Sequence, residues 1–284
     1  MTALLEANTV CKSYGPFHAL TDVSISIADG EFISIVGPNG AGKSTLVNVL
    51  TGLLKPTSGR VSFRGTDIGG IGPVELARRG MARGFQLVNI FPELTVRETL
   101  AVAASSRLKR IANPLRSLVR DREVSEAVEE VADIFHLRPR LDQRARALSQ
   151  GEKKLLDVAS AFALKPELIL IDEPTSGVST GDKHSIMELL IAACRKAGVR
   201  AIIQVEHDMD LVARYSDRIV ALQAGRVLAD EKPEAFFRDP ALIAAVVGTR
   251  PPQMKTKTAA DTAAFAPVHR SVGLGAANHG SAAC

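Results

Sequence analysis

Three short, largely apolar runs stand out along the chain: residues 32–36 (FISIV), 168–171 (LILI) and 201–205 (AIIQV), each ending at glycine or polar positions. Runs of this length read as strands buried on both faces, the kind from which parallel sheets are built. The pattern predicts an α/β protein with a mostly parallel sheet, whose ligands belong at the strand ends. Between the first and second runs, residues 94–146 are rich in Arg, Ala and Glu. There Val124, Val128, Val131, Ile134 and Phe135 recur at helical spacing, with Glu123, Glu126, Glu129 and Glu130 largely on the opposite face. This reads as a helical subdomain, although periodicity alone equally allows a helix covering the same sheet. Residues 1–249 form one compact unit in this reading. Residues 250–284 open with Pro251 and Pro252, show no apolar periodicity, and predict a disordered tail. No internal repeat is found.

Composition narrows the classes. With 284 residues, 46% hydrophobic, the chain can bury a substantial core. The formal charge of +4 is too small and too evenly spread to argue for a nucleic-acid partner. No apolar stretch approaches the ~20 residues of a membrane-spanning helix. The start, MTALLEANTV, lacks the basic and apolar regions of a secretory signal, which predicts a cytosolic protein. Cys11, Cys194 and Cys284 lie far apart without metal-ligand spacing and read as reduced thiols.

The chemistry begins at Gly37, Pro38, Asn39, Gly40, Ala41, Gly42, Lys43, Ser44 and Thr45, between the 32–36 strand and a helical-looking stretch at 46–50. The run fits G-x-x-x-x-G-K-[ST] in its required strand, loop and helix context, a P-loop. Glycines let successive backbone N–H groups point at phosphate oxygens, and the helix start adds partial positive charge. In this motif Lys43 reaches the β and γ phosphates of a nucleotide and Ser44 holds Mg²⁺, which by itself does not distinguish a kinase, a GTPase or a motor. The 168–171 strand then delivers Asp172 and Glu173 to the same sheet edge. Asp172 suits an outer-sphere Mg²⁺ ligand, and Glu173 suits a base that polarises water for in-line attack on the γ phosphate. Between these motifs lies Leu148-Ser149-Gln150-Gly151-Glu152, in which Ser149 and Glu152 have capping-box spacing at a helix start, and Gly151 leaves room for a phosphate.

With those three segments in that order, the chain resembles the ATP-binding subunits of ABC transporters, whose signature is Leu-Ser-Gly-Gly-Gln or a close variant. The resemblance covers essentially residues 3–249 and implies a P-loop NTPase core with a mostly parallel sheet, an antiparallel β subdomain, and a helical subdomain inserted at about residues 94–160. It implies that Tyr14 stacks on adenine, the alternative being a plain core tyrosine. Gln86 resembles the Q-loop glutamine that senses Mg²⁺ and the attacking water, and His207 resembles the switch histidine near the γ phosphate. Two positions depart from the family: Gln150 replaces a glycine of the signature, and Ser179 stands where an aspartate often closes the D-loop. Both changes could slow hydrolysis, but Lys43, Asp172, Glu173 and His207 are intact, so the expectation is an active ATPase.

The resemblance further implies a nucleotide enclosed between two protomers set head to tail, with the P-loop of one facing Ser149 and Gly151 of the other. Closure and opening of this pair, as a homodimer or with a paralogue, would drive separate transmembrane permease subunits through a groove near Gln86. A solute-binding protein would act indirectly, and the chain would sit at the cytoplasmic face of the inner membrane. The stretch 86–100 (QLVNIFPELTVRETL), residues 205–209 and residues 236–248 resemble the branched-chain amino acid importer ATPases of the LivG and LivF type. Related cassettes serve urea, amides and other small polar solutes. Rival classes are a regulatory nucleotide switch without turnover, a soluble repair or translation ABC protein, and a P-loop kinase or GTPase. The last has no reason to carry the 148–152 segment.

Overall fold

The computed structural model describes residues 3–84, 91–108 and 121–247. In chain order the elements are β1 (Leu5–Tyr14), β2 (Phe17–Ile27), β3 (Phe32–Val36), α1 (Lys43–Leu50), β4 (Ser58–Phe63), β5 (Thr66–Asp67), α2 (Pro73–Arg78) and β6 (Met81–Gly84). There follow α3 (Val96–Arg107), α4 (Arg122–Ile134), α5 (Gln150–Phe162), β7 (Leu168–Asp172), α6 (Thr180–Ala197), β8 (Ala201–Val205) and α7 (Met209–Tyr215). The chain continues with β9 (Arg218–Gln223), β10 (Arg226–Glu231), α8 (Pro233–Phe236) and α9 (Pro240–Val247).

The three apolar runs become β3, β7 and β8, with β7 extending one residue further to include Asp172. They are neighbours in a six-stranded sheet of order β10-β9-β3-β8-β7-β6, in which every pair is parallel except β9 with β10. Alternate residues serve opposite faces. Ile169, Ile171 and Ile202 face a cluster that continues into α3, α4, α5 and α6, while Leu168, Leu170, Ile203, Ile33 and Ile35 face α1 and a second sheet. That second sheet, of order β2-β1-β4-β5, is antiparallel. Its β2 alternates cleanly, with Val23, Ile25 and Ile27 inward and Ser24 and Ser26 outward, the period-2 signature of a strand with one wet face.

The helical layer rests on local signals. Val124, Val128, Val131, Ile134 and Phe135 are all buried, and Glu123, Glu126 and Glu130 are exposed on the other side. Asp121 caps α4 by accepting from the Glu123 N–H. Thr95 and Glu98 form a capping box at the start of α3. The helices pack on one another and share one hydrophobic cluster with the sheet, so the periodic stretch is at once a helical layer and a cover for that face. Cys11 and Cys194 are free thiols, the latter buried. Among the described residues no helix is long and apolar enough to cross a membrane. Gln86 and the 250–284 tail lie outside the described residues.

Candidate active site

Because β6, β7, β8 and β3 run parallel side by side, their C-terminal ends line one edge of the sheet. Gly84 is level with Ile171, Asp172 with Val205, and Val205 with Ile35. The loop after β3 turns there into α1. Gly37 has φ 149°, and a Cβ at that position would lie 2.3 Å from the Leu222 carbonyl oxygen. Gly42, at φ 99°, would bring a Cβ within 2.7 Å of the Ala19 carbonyl oxygen. Both positions therefore require glycine, and both tie the loop closely to neighbouring backbone. Gly40 has φ 79° and faces open space.

Lys43, the first residue of α1, curls back over this loop. Its ammonium donates to the carbonyl oxygens of Gly37 at 2.7 Å and Pro38 at 3.0 Å. Burial lowers its pKa from the ordinary lysine value, and the charges of Glu173 and Asp172 oppose that shift. Ser44 follows, exposed on the first turn. The Asp172 carboxylate is buried, and Arg83 of β6 donates to it at 3.3 Å while also donating to the Asn48 side chain at 2.6 Å. Burial lowers the Arg83 pKa from its ordinary value, against the attraction of Asp172. Burial likewise makes Asp172 titrate above the usual aspartate value, with Arg83 pulling the other way.

Glu173 adopts φ 49°, a left-handed conformation rare for a residue with a side chain. Its N–H donates to the Val205 carbonyl at 2.9 Å. Its carboxylate lies 3.2 Å from His207 Nε2, and its own carbonyl accepts from Lys154 Nζ at 3.4 Å. His207 is placed by Glu206, which is 4% exposed. One Glu206 oxygen accepts from the Thr175 hydroxyl at 2.6 Å, and the other from the backbone N–H groups of His207 at 2.8 Å and Asp208 at 3.2 Å. A cavity of about 150 Å³ is lined by Gly37, Glu206, His207, Met209, Val246 and Val247. The structure thus brings Lys43, Asp172, Glu173 and His207 to one edge.

Tyr14 ends β1 with 48% of its surface exposed, so it is not a core residue, and the Lys12 ammonium sits 5.3 Å from its ring centre. Ser149 caps α5. Its side chain accepts from the Glu152 N–H while the Glu152 carboxylate accepts from the Ser149 N–H, and Arg140 donates to the other carboxylate oxygen. Gln150 is exposed beside Gly151 at this helix start. Ser179 precedes α6 and donates to Asp182 at 2.7 Å.

Sequence reading passed over three groups at this edge: Arg83, Lys154 and Glu206. A lone arginine in a short strand and an acid directly before the strand-end histidine were visible signals. Their distant partners Asp172, Glu173 and Thr175 were not, because each lies on another part of the chain.

A family model described as ABC transporter matches residues 20–176. The high-affinity branched-chain amino acid transport ATP-binding protein LivG of Salmonella typhimurium is 35% identical over 250 residues, covering 86% of this chain and 98% of that one. Among solved structures, MJ1267, an ATP-binding cassette of an ABC transporter, superposes with a TM-score of 0.77 at 32% identity, over 86% of this chain and 99% of that one. The cassette MJ0796, solved as a dimer in a post-hydrolysis state with ADP and Pi, matches with a TM-score of 0.68 at 29% identity, over 81% of this chain and 98% of the other. The chain belongs to the ABC transporter family, as one of its ATP-binding and ATP-hydrolysing cassettes.

Proposed function

We propose that this cassette powers an importer, most closely one for branched-chain amino acids, by closing on ATP as a head-to-tail dimer and opening after hydrolysis. The observation that carries the reading is the convergence of Lys43, Asp172, Glu173 and His207 at one sheet edge, beside a loop in which Gly37 and Gly42 admit no side chain. The solute class comes from the LivG relative, whose length the match spans almost entirely.

In this reading the N–H groups of residues 37–45 and the Lys43 ammonium bind the phosphates, the ammonium exchanging its two carbonyl acceptors for phosphate oxygens. Tyr14 offers its exposed ring to adenine, while Ser149 and Gly151 close on the nucleotide of the partner protomer. Glu173 orients the attacking water and takes its proton as the water oxygen bonds to the γ phosphorus and the bond to the β–γ bridging oxygen breaks. His207 stands within hydrogen-bond reach of that base.

Mg²⁺ fits the donors present. No cluster of three or more His, Cys, Asp or Glu that could cage a metal occurs among the described residues. A magnesium ion held by few protein oxygens and completed by phosphates and water suits the Ser44 hydroxyl, the Asp172 carboxylate and Gln86. When bound, it offsets negative charge on the β and γ phosphates. Residues 1–249 act as the cassette, and the helical layer within about 94–160 meets permease subunits at the cytoplasmic face of the membrane, with a solute-binding protein delivering the cargo.

The test is co-purification of the chain with its permease and solute-binding subunits, followed by ATP-driven uptake in proteoliposomes. Leucine, isoleucine and valine should be taken up and should raise phosphate release. Uptake of urea or short amides alone would replace the solute assignment, and ATP hydrolysis with no membrane partner and no uptake would overturn the importer reading.

A further inference from the structure

α5 carries two features that face different nucleotides in the head-to-tail arrangement. At its start stand Ser149 and Gly151, assigned above to the partner's nucleotide. In its second turn stands Lys154, whose ammonium donates to the carbonyl oxygen of Glu173, the base assigned to this protomer's own nucleotide. That peptide is held in an unfavourable left-handed conformation at φ 49°, which neighbouring structure must maintain. The Glu173 N–H is anchored to β8 through the Val205 carbonyl, and its carbonyl is anchored to α5 through Lys154.

We propose that Lys154 is a positioning residue that transmits engagement of the partner's nucleotide at the start of α5 to the orientation of Glu173 in its own site. Lys154 follows the Ser149 cap by little more than one turn of the same 13-residue helix, so a shift of the helix as a rigid body carries both residues together. The ammonium is half-buried among carboxylates: Glu173 and Glu206 on the facing loops and Asp157 on its own helix. Burial pushes its pKa below the ordinary lysine value while those three acids push it back up, so the cation is held in place by the groups it organises. Glu206 in turn fixes the backbone of His207. One cation thereby spans the signature helix, the base and the histidine loop. The inference rests on the head-to-tail reading and on the role of Glu173 given above.

The test uses the full chain with its permease partners, phosphate release measured against ATP concentration, and equilibrium binding of a fluorescent ATP analogue. Lys154→Met should lower kcat about tenfold while nucleotide affinity stays within about twofold, and Lys154→Arg should restore most of the rate. Ser149→Ala should also lower kcat about tenfold, and the double variant should fall only about tenfold to twentyfold, because both changes cut the same link. A double variant about a hundredfold slower would make the effects independent and overturn the proposal, as would a Lys154→Met protein with wild-type kcat or an arginine variant no better than methionine. If Lys154→Met does not fold, Lys154→Gln is put through the same cycle with the same criteria. Glu173→Gln separates the two readings: if it abolishes turnover while the Lys154 variants do not slow it, only the coupling fails, and if Glu173→Gln turns over normally, the site assignment itself fails.

Discussion

His207 Nε2 lies 3.2 Å from Glu173 Oε1, across the gap between the ends of two adjacent parallel strands. Neither residue reaches the other through local chain geometry. Glu173 is turned toward the histidine by its left-handed backbone, and His207 is held by the buried Glu206 carboxylate, which accepts its N–H. The pair is thus held from both sides by groups of the protein itself. Such positioning is what the base proposed above needs in order to orient water.

Replacing Glu173 by Gln removes the proposed base but keeps the shape. Phosphate release should fall at least about a hundredfold, the range over which a positioned general base acts. ATP binding should persist, so a nucleotide-bound dimer should accumulate and be visible by light scattering with ATP. A monomer under those conditions would remove the dimer from the mechanism.

Glu206 satisfies three donors in a buried setting: the Thr175 hydroxyl and two backbone N–H groups. Glu206→Ala strands all three. The expected loss is about 2–4 kcal/mol of stability, since each buried unsatisfied group costs about 1–3 kcal/mol and part of the site will admit water. Calorimetry should show a thermal midpoint lower by roughly 5–10 °C for a domain of this size. Turnover should drop as well, through loosening of His207.

The helical layer carries a pH-dependent contribution. Arg97 donates to Glu129 at 2.7 Å and Arg138 donates at 2.9 Å, and these bonds hold the Glu129 pKa below the ordinary glutamate value. A carboxyl whose folded pKa is depressed adds stability above its unfolded pKa and loses it as pH falls through the folded one. Glu129→Gln should therefore destabilise the protein at pH 7, by less than about 1 kcal/mol because the pair is partly exposed. The difference from wild type should shrink as pH falls below about 4 and vanish once Glu129 is protonated. Urea denaturation at a series of pH values would show it, and a difference independent of pH would contradict it.

Cys194 lies fully buried in α6, and burial pushes its thiol pKa far upward. In a protein carrying Cys284→Ser, a thiol reagent at pH 8 should label Cys11 in the native state and reach Cys194 only on unfolding, at a rate set by global opening. Rapid native labelling of Cys194 would show that α6 opens locally.

The chemistry of the 37–45 loop was written in local order: glycines where φ must be positive, lysine and serine where the helix begins, and an apolar strand before them. The three core strands and the Ser149–Glu152 cap were legible for the same reason, since burial on both faces and a three-residue cap spacing need no knowledge of distant chain. Tertiary structure alone decided which side chains work together. Arg83 and Asp172 are 89 positions apart, Thr175 and Glu206 are 31 apart, and Lys154 and Glu173 are 19 apart. The order β3-β8-β7-β6 and its parallel register bring their strand ends to a common edge. Hydrophobic periodicity states that a strand is buried, but it carries no information about which strand lies beside it. The loop's chemistry therefore belonged to the sequence, while the meeting of Glu173 with His207 belonged to strand order.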